Sequence, residues 1–302
     1  MPPKKMHADE LDTDAALVER LLTEQFPHWA GLPIQPVVPM GTDNALYRLG
    51  DDMVVRLPRR PGDSIPLEKE RRWLPKLAPL LPLAVPVPLA EGAPGETFPL
   101  TWSVYSWLSG ENATLERVTD LSRAGSDLAR FVDALQRIDP SGGPPPGEHN
   151  AFRGVSVADR DEATRSAIAS LGSSIDARAV VLAWDAALRA TEWEREPVWI
   201  HGDLDSRNVL AENGRLSAVV DFGCLGVGDP AYDVMVAWKM LSREFRESFR
   251  SALAVDDATW SRARGLALSQ ALMALVYYTL ETNAVLVLEA RRWLAEVLAD
   301  HD

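Results

Sequence analysis

The segment HGDLDSRNVLAENGRLSAVVDFG, residues 201–223, sets His201, Asp203, Asn208 and Asp221 among short apolar runs. Asn213-Gly214, between VLA and LSAVV, is a hairpin turn signal because both residue types tolerate positive φ. A strand VWI leads into the loop that carries Asp203. The hairpin folds back, so Asp221 at the end of LSAVV converges on Asp203 and Asn208. Two carboxylates and a carboxamide in one place suit phosphoryl transfer. That reaction needs hard oxygen ligands for a metal ion on the nucleotide phosphates, and a separate carboxylate to orient an attacking hydroxyl and accept its proton. Asn208 and Asp221 fit the first task and Asp203 the second.

Helices and strands must hold these residues in place. TDAALVERLLTEQF repeats apolar residues at helical spacing, with Thr13 as the expected N-cap. IQPVVPM, NALYRLG and MVVRLP are rich in branched or aromatic residues and separated by GTD and GDD, which predicts an antiparallel meander. Ser64 and Pro66 open a helix over PLEKERRWLPKLAPLL that Pro79 and Pro82 close, and VPVPLA and LTWSVYSWL add two strands. Beyond SGEN helical periodicity takes over: Leu121, Leu128, Phe131, Leu135 and Ile138 share one face. DPSGGPPPGEHN reads as an irregular surface loop, and helices fill most of 156–194 and 231–299.

HGDLDSRN, VVDFG and GDPAYD together resemble the aminoglycoside phosphotransferase family, which takes in macrolide kinases, choline kinase relatives and homoserine kinases. The family shares the bilobal fold of protein kinases. The resemblance implies an α+β chain with an N-terminal antiparallel β-sheet lobe with helices, 1–108, that binds nucleotide, and a mainly helical C-terminal lobe, 109–302, that carries the chemistry. It implies that Asp203 is the catalytic base, that Asn208 and Asp221 hold Mg²⁺, and that His201 packs beneath the site as a structural support. The donor is ATP or GTP.

Within that frame the phosphates meet the turn PMGTDNALYRLG, where Gly41, Thr42, Asp43 and Asn44 replace a loop of three glycines. The phosphate-binding cation is expected at Arg56 in MVVRLPRR, where the family often has Lys. A guanidinium grips phosphate oxygens as a fork. Its orienting partner is Glu70, with Glu68 as the alternative. SVYSWLSGE resembles the hinge whose backbone reads a purine edge, with Ser106, Trp107 and Leu108 closest.

The acceptor is a small molecule. Only CLGVG separates Gly223 from Asp229, which leaves no room for a long activation segment, and Gly202 stands where protein kinases have Arg. Asp229 and Asp233 of GDPAYD, with Tyr277, Tyr278 and Glu281 of LVYYTLETN, are the candidate acceptor residues. Carboxylates there favour an aminoglycoside-type polycation. The apolar ALMALVYY favours a macrolide, and helix-core packing is the competing role for both tyrosines. A nucleotide-binding pseudokinase is the alternative from another class, against which the intact Asp203, Asn208 and Asp221 argue.

Composition bounds the rest. The chain has 302 residues, is 46% hydrophobic and carries a net charge of −13. That charge argues against nucleic acid as partner and suits a cationic small molecule, although it also serves solubility. One cysteine, Cys224, excludes an intramolecular disulfide and fits a reducing compartment. The start MPPKKMHADELDTD has no apolar run of a secretory signal, and no apolar stretch reaches the ~20 residues of a membrane span. A cytoplasmic protein with no membrane partner is expected, and its oligomeric state is left open.

Overall fold

A computed structural model describes residues 10–37, 44–61 and 65–300. The chain divides into two compact units, Met1–Pro79 with Ala84–Ser109, and Leu80–Leu83 with Gly110–Asp302.

In the first unit, strands β1 (Ile34–Pro36), β2 (Asn44–Leu49), β3 (Met53–Pro58), β4 (Pro88–Gly92) and β5 (Trp102–Ser106) form one antiparallel sheet in the order β1-β2-β3-β5-β4. Strict alternation in β2 sends Ala45, Tyr47 and Leu49 into the core, where they join Val55, Leu57, Trp102 and Val104 under helix α1 (Ala15–Gln25). Helix α1 contributes Leu17, Val18, Leu21 and Leu22. Its N-cap is Asp14 and not the expected Thr13: the Asp14 carboxylate accepts from Leu17 N at 2.7 Å. Thr13 instead takes the Tyr47 hydroxyl at 3.0 Å, tying the helix entry to the sheet. In β3 burial is continuous from Val55 to Pro58, so Arg56 lies covered on the face that meets helix α2 (Ile65–Leu77). The strand expected over VPVPLA begins only at Pro88 and carries an irregularity between Pro88 and Ala90. Prolines 86 and 88 have no N–H to offer a ladder.

The second unit holds two small sheets and eight helices among the described residues. Strand β6 (Glu111–Asn112) joins β8 (Val209–Glu212) and β9 (Arg215–Val219) in the order β6-β8-β9; β7 (Val198–Ile200) pairs antiparallel with β10 (Gly226–Gly228), which sequence reasoning did not foresee. Asn213 and Gly214 turn the β8–β9 hairpin with φ of 52° and 78°. The helices are α3 (Leu121–Gln136), α4 (Asp161–Leu171), α5 (Ala177–Leu188), α6 (Ala231–Val234), α7 (Val236–Met240), α8 (Arg243–Leu253), α9 (Asp257–Tyr277) and α10 (Leu280–Ala299). On α3, Leu128, Phe131 and Leu135 are fully buried. The proline- and glycine-rich loop is packed, not merely superficial. Its Asp139 carbonyl takes the Trp199 indole N–H at 2.9 Å, its Pro144 carbonyl takes Val227 N at 2.9 Å, and Asn150 is buried. Among the described residues no helix is long and apolar enough to cross a membrane.

Candidate active site

The loop 201–208 leaves β7 and is held from below by one carboxylate. Asp233, in α6, is wholly buried, and its two oxygens accept the main-chain N–H groups of His201 and Gly202, each at 2.8 Å. Burial pushes the Asp233 carboxyl up, while His201 and the two N–H groups pull it down. Asp203 N–H donates to His201 Nδ1 at 3.2 Å, which leaves Nε2 to carry the proton and donate to the Val220 carbonyl at 3.1 Å. The imidazole, packed edge-on against Phe222 with centroids 4.6 Å apart, therefore ties the loop to the hairpin. Gly202 has φ of +81°, and a Cβ there would come within 2.8 Å of the Cys224 carbonyl. The glycine that replaces the protein-kinase Arg is thus required by the turn itself.

Asp203 and Asn208 are in contact, and the strand end that carries Asp221 pairs with Asn208. Asn208 Nδ2 donates to the Asp203 carbonyl at 2.8 Å and approaches Asp203 Oδ2 at 3.3 Å, while Val220 N–H donates to the Asn208 carbonyl at 2.8 Å. Asp221 follows directly, in the left-handed region at φ +62°, with its exposed carboxylate 3.4 Å from Gly223 N. Asn208 Oδ1 and the Asp221 carboxylate are hard oxygen donors of the kind Mg²⁺ prefers. Two protein ligands fit an ion that completes its shell with phosphate and water oxygens. No cluster of three or more His, Cys, Asp or Glu suited to a metal occurs among the described residues, so an all-protein cage is not what this site offers.

Four groups around Asp203 escaped the sequence reading. Lys239, on α7 and fully buried, places Nζ 3.4 Å from Asp203 Oδ1 and 3.3 Å from Asp205 Oδ2. Asp205 is fully buried and takes Arg207 Nη2 at 2.5 Å. Arg153 adds positive charge beside Asp203. Burial by itself would raise the Asp203 carboxyl. Lys239 foremost, then Arg153, Arg207 and His201, more than offset that and hold it well below the usual carboxylate range. The one signal for Lys239 was a lone cation inside the apolar run MVAWKML.

In the first unit, Arg56 Nη1 meets Glu70 Oε2 at 2.6 Å, and the Tyr105 hydroxyl donates to the same oxygen at 2.8 Å. The guanidinium lies 5.0 Å over the Tyr105 ring. Burial, followed by the Glu70 charge, drives the Tyr105 hydroxyl far above its ordinary range. The alternative partner Glu68 is exposed. Asn44 opens β2 opposite Pro58, and its buried Oδ1 has no partner among the described residues. Gly41 and Thr42 lie outside the described residues. Ser106 N donates to the Val87 carbonyl at 2.9 Å and Trp107 N to the Asp52 carbonyl at 2.6 Å, so of the expected hinge, which runs to Leu108, those two amides are already engaged.

The acceptor residues expected from GDPAYD are a correction. Asp229 is buried in a bidentate pair with Arg262, at 2.8 and 3.1 Å, and also accepts from Ala231 N; Asp233 braces the loop. Neither carboxylate is available to a substrate. Both sit where chain turns into helix, and the motif does not say which way they point. Tyr277, Tyr278 and Glu281 lie at the break between α9 and α10, with Tyr277 64% exposed and Glu281 exposed, so Tyr277 is no core residue. The two rings meet edge to face at 4.7 Å.

Residues 35–266 match the phosphotransferase enzyme family. The chain belongs to that family. As a member it is a small-molecule phosphotransferase acting on a hydroxyl group. No curated protein matches the chain. Among solved structures, the phosphotransferase fold is shared with the GDP complex of aminoglycoside 2′-phosphotransferase-IIIa, at 18% identity and TM-score 0.75 over 96% of this chain and 100% of that one. A GDP and kanamycin complex of an APH(2″) enzyme is similar at 19% identity and TM-score 0.72, over 94% and 99%. A macrolide 2′-phosphotransferase from Brachybacterium faecium is similar at 22% identity and TM-score 0.63, over 94% and 97%.

Proposed function

We propose that this protein transfers the γ-phosphoryl group of Mg-ATP or Mg-GTP to a hydroxyl of an aminoglycoside-type antibiotic. The observation that carries the reading is the convergence of Asp203, Asn208 and the Asp221 segment on one loop and one hairpin. Asp203 orients the acceptor hydroxyl and takes its proton as the oxygen attacks phosphorus and the nucleoside diphosphate leaves. Asn208 Oδ1 and Asp221 would hold Mg²⁺, which supplies charge neutralisation on the phosphates. Arg56, oriented by Glu70, grips phosphate oxygens as a fork. His201 and Asp233 keep the loop in shape. The net charge of −13 and the exposed Glu281 suit a polycationic acceptor. The kanamycin bound to the similar APH(2″) structure is a further reason to place that class first.

One observation favours a second reading. Val276, Tyr277, Leu280, Val285 and Leu288 are all exposed around the α9–α10 break. An apolar surface of that kind suits a macrolide better than a polycation.

Nucleotide consumption with ATP and with GTP, each against kanamycin, gentamicin, streptomycin and erythromycin, tests both. Turnover with one of the aminoglycosides is expected and turnover with erythromycin alone would favour the second reading. Nucleotide binding without transfer to any of them would point to a non-catalytic binding module.

A further inference from the structure

The Lys239 ammonium has three N–H donors and three oxygen acceptors around it: Asp203 Oδ1 at 3.4 Å, Asp205 Oδ2 at 3.3 Å and Gln270 Oε1 at 3.1 Å. Its fourth side faces the Trp293 ring, 4.6 Å from the centroid. The four partners come from the loop 201–208, α9 and α10, so the amine joins three segments of the second unit at one point. A lysine this buried is costly to desolvate, and a fold that needed only packing here would be served by an apolar side chain. Asp205 is itself neutralised by Arg207, which grips it through Nε at 3.2 Å and Nη2 at 2.5 Å. The Lys239 charge is therefore not required for Asp205 alone.

We infer that Lys239 is a positioning residue for phosphoryl transfer: it holds Asp203 by Oδ1 and thereby leaves Oδ2 as the oxygen that takes the acceptor hydroxyl. Among the described residues, Oδ2 has the 3.3 Å approach of Asn208 Nδ2 as its one side-chain hydrogen bond. A carboxylate held at one oxygen cannot rotate its other oxygen away from the hydroxyl, and small errors in such placement are expensive in rate. Lys239 touches no reacting atom. Its effect passes through Asp203, and the inference rests on Asp203 acting as the base proposed above.

The test is a double-mutant cycle. Inorganic phosphate and nucleoside diphosphate are measured from Mg-ATP and Mg-GTP, with kanamycin and with water alone as acceptor, for the native chain, Lys239→Met, Asp203→Asn and the two combined. Lys239→Met is expected to lower kcat by about 10²-fold with the nucleotide KM unchanged. In the Asp203→Asn background the same change is expected to cost no more than about threefold, because the group it acts through is gone. Losses that multiply in full, or a nucleotide KM that rises together with the fall in kcat, would overturn the positioning role. A native chain that releases no nucleoside diphosphate with either acceptor, or an Asp203→Asn variant as fast as native, would instead remove the catalytic reading of Asp203 and the inference with it. Lys239→Met removes the cation that lies between Asp203 and the buried Asp205. Should it lose its cooperative melting transition, Lys239→Met/Asp205→Asn restores the charge balance and is held to the same kcat and KM outcomes.

Discussion

Asn208 donates its side-chain amide to the main-chain carbonyl of Asp203 across 2.8 Å, which fixes the amide end for end. One residue thus shapes the loop that carries the base and presents a hard oxygen. Asp221 presents its carboxylate without any comparable duty: among the described residues it accepts one hydrogen bond, from Gly223 N at 3.4 Å, and feels the Arg207 charge. The two are separable by experiment. Asp221→Ala is expected to raise the Mg²⁺ concentration for half-maximal turnover by about tenfold or more while kcat at saturating Mg²⁺ falls modestly. Asn208→Ala should raise it likewise and also lower kcat at saturation, because Asp203 loses its brace. Mg²⁺ titrations of initial rate read both effects, and an unchanged Mg²⁺ requirement in either variant would contradict its role as ligand.

Asp203→Asn removes the proton acceptor and keeps the shape of the side chain. Nucleotide affinity is expected to stay near native while kcat falls about 10²–10⁴-fold, the range for loss of a general base. Isothermal titration with a nucleotide and steady-state rates give the two numbers. A parallel loss of nucleotide affinity would assign Asp203 to binding.

The charge around that base also sets a pH dependence. Lys239, with Arg153, Arg207 and His201, outweighs burial and leaves the Asp203 pKa depressed in the folded state relative to 3.8. A depressed acid favours folding at pH above its unfolded value, and that contribution is lost only as pH falls through the lower, folded-state value. Asp203 is therefore ionised throughout the range above pH 3.8, and any acid limb of kcat there belongs to another group. The kcat–pH profiles of the native chain and of Asp203→Asn should share that limb. A limb present in the first and missing from the second would refute the assignment.

What could be read from residues alone follows a physical division. Asn213-Gly214 announced the hairpin, because positive φ at both turn positions is a local demand. That hairpin pairs the strand end that carries Asp221 with Asn208, which is in contact with Asp203. Arg56 and Glu70 were legible for a similar reason: a strand and the next helix leave few pairings open, and the pair forms at 2.6 Å. Asp229 and Asp233 were misread because GDPAYD places them at the start of α6 but says nothing of which way they face. One turns into Arg262 and the other under His201 and Gly202. Lys239 was missed altogether, since its three acceptors come from residues 203, 205 and 270, and no spacing in the chain encodes such a meeting.

Arg56 and Glu70 form a buried pair, with Glu70 wholly inaccessible and Arg56 8% exposed. Removing one partner leaves the other charge buried. Arg56→Met is therefore expected to destabilise by about 3–5 kcal/mol, and the matched change Arg56→Met/Glu70→Leu to destabilise less. Arg56→Lys keeps charge and loses the fork, so nucleotide affinity should fall with a smaller loss in Tm. Thermal melts with and without Mg-GTP separate stability from binding. An Arg56→Met variant as stable as native would mean the pair contributes little to the first unit.

Gly228 closes β10 against Gly154, and a Cβ on Gly228 would lie 2.4 Å from the Gly154 Cα and 2.5 Å from its carbonyl oxygen. Both neighbours are backbone, and Gly154 has φ of +99°, so neither strand nor loop can yield by a rotamer change. The Asp229 N–H donates to that same Gly154 carbonyl at 3.0 Å, which links the contact to the buried Asp229–Arg262 pair. Gly228→Ala is expected to destabilise by about 1–3 kcal/mol or more, as overpacking does in a site that cannot relax. Gly95→Ala is the control: a Cβ there meets nothing within 4 Å, and its φ lies outside the left-handed region. Chemical denaturation of the two variants against the native chain decides the matter. Gly228→Ala as stable as Gly95→Ala would show that the β10 strand and the loop beneath it part more readily than their backbone contact implies.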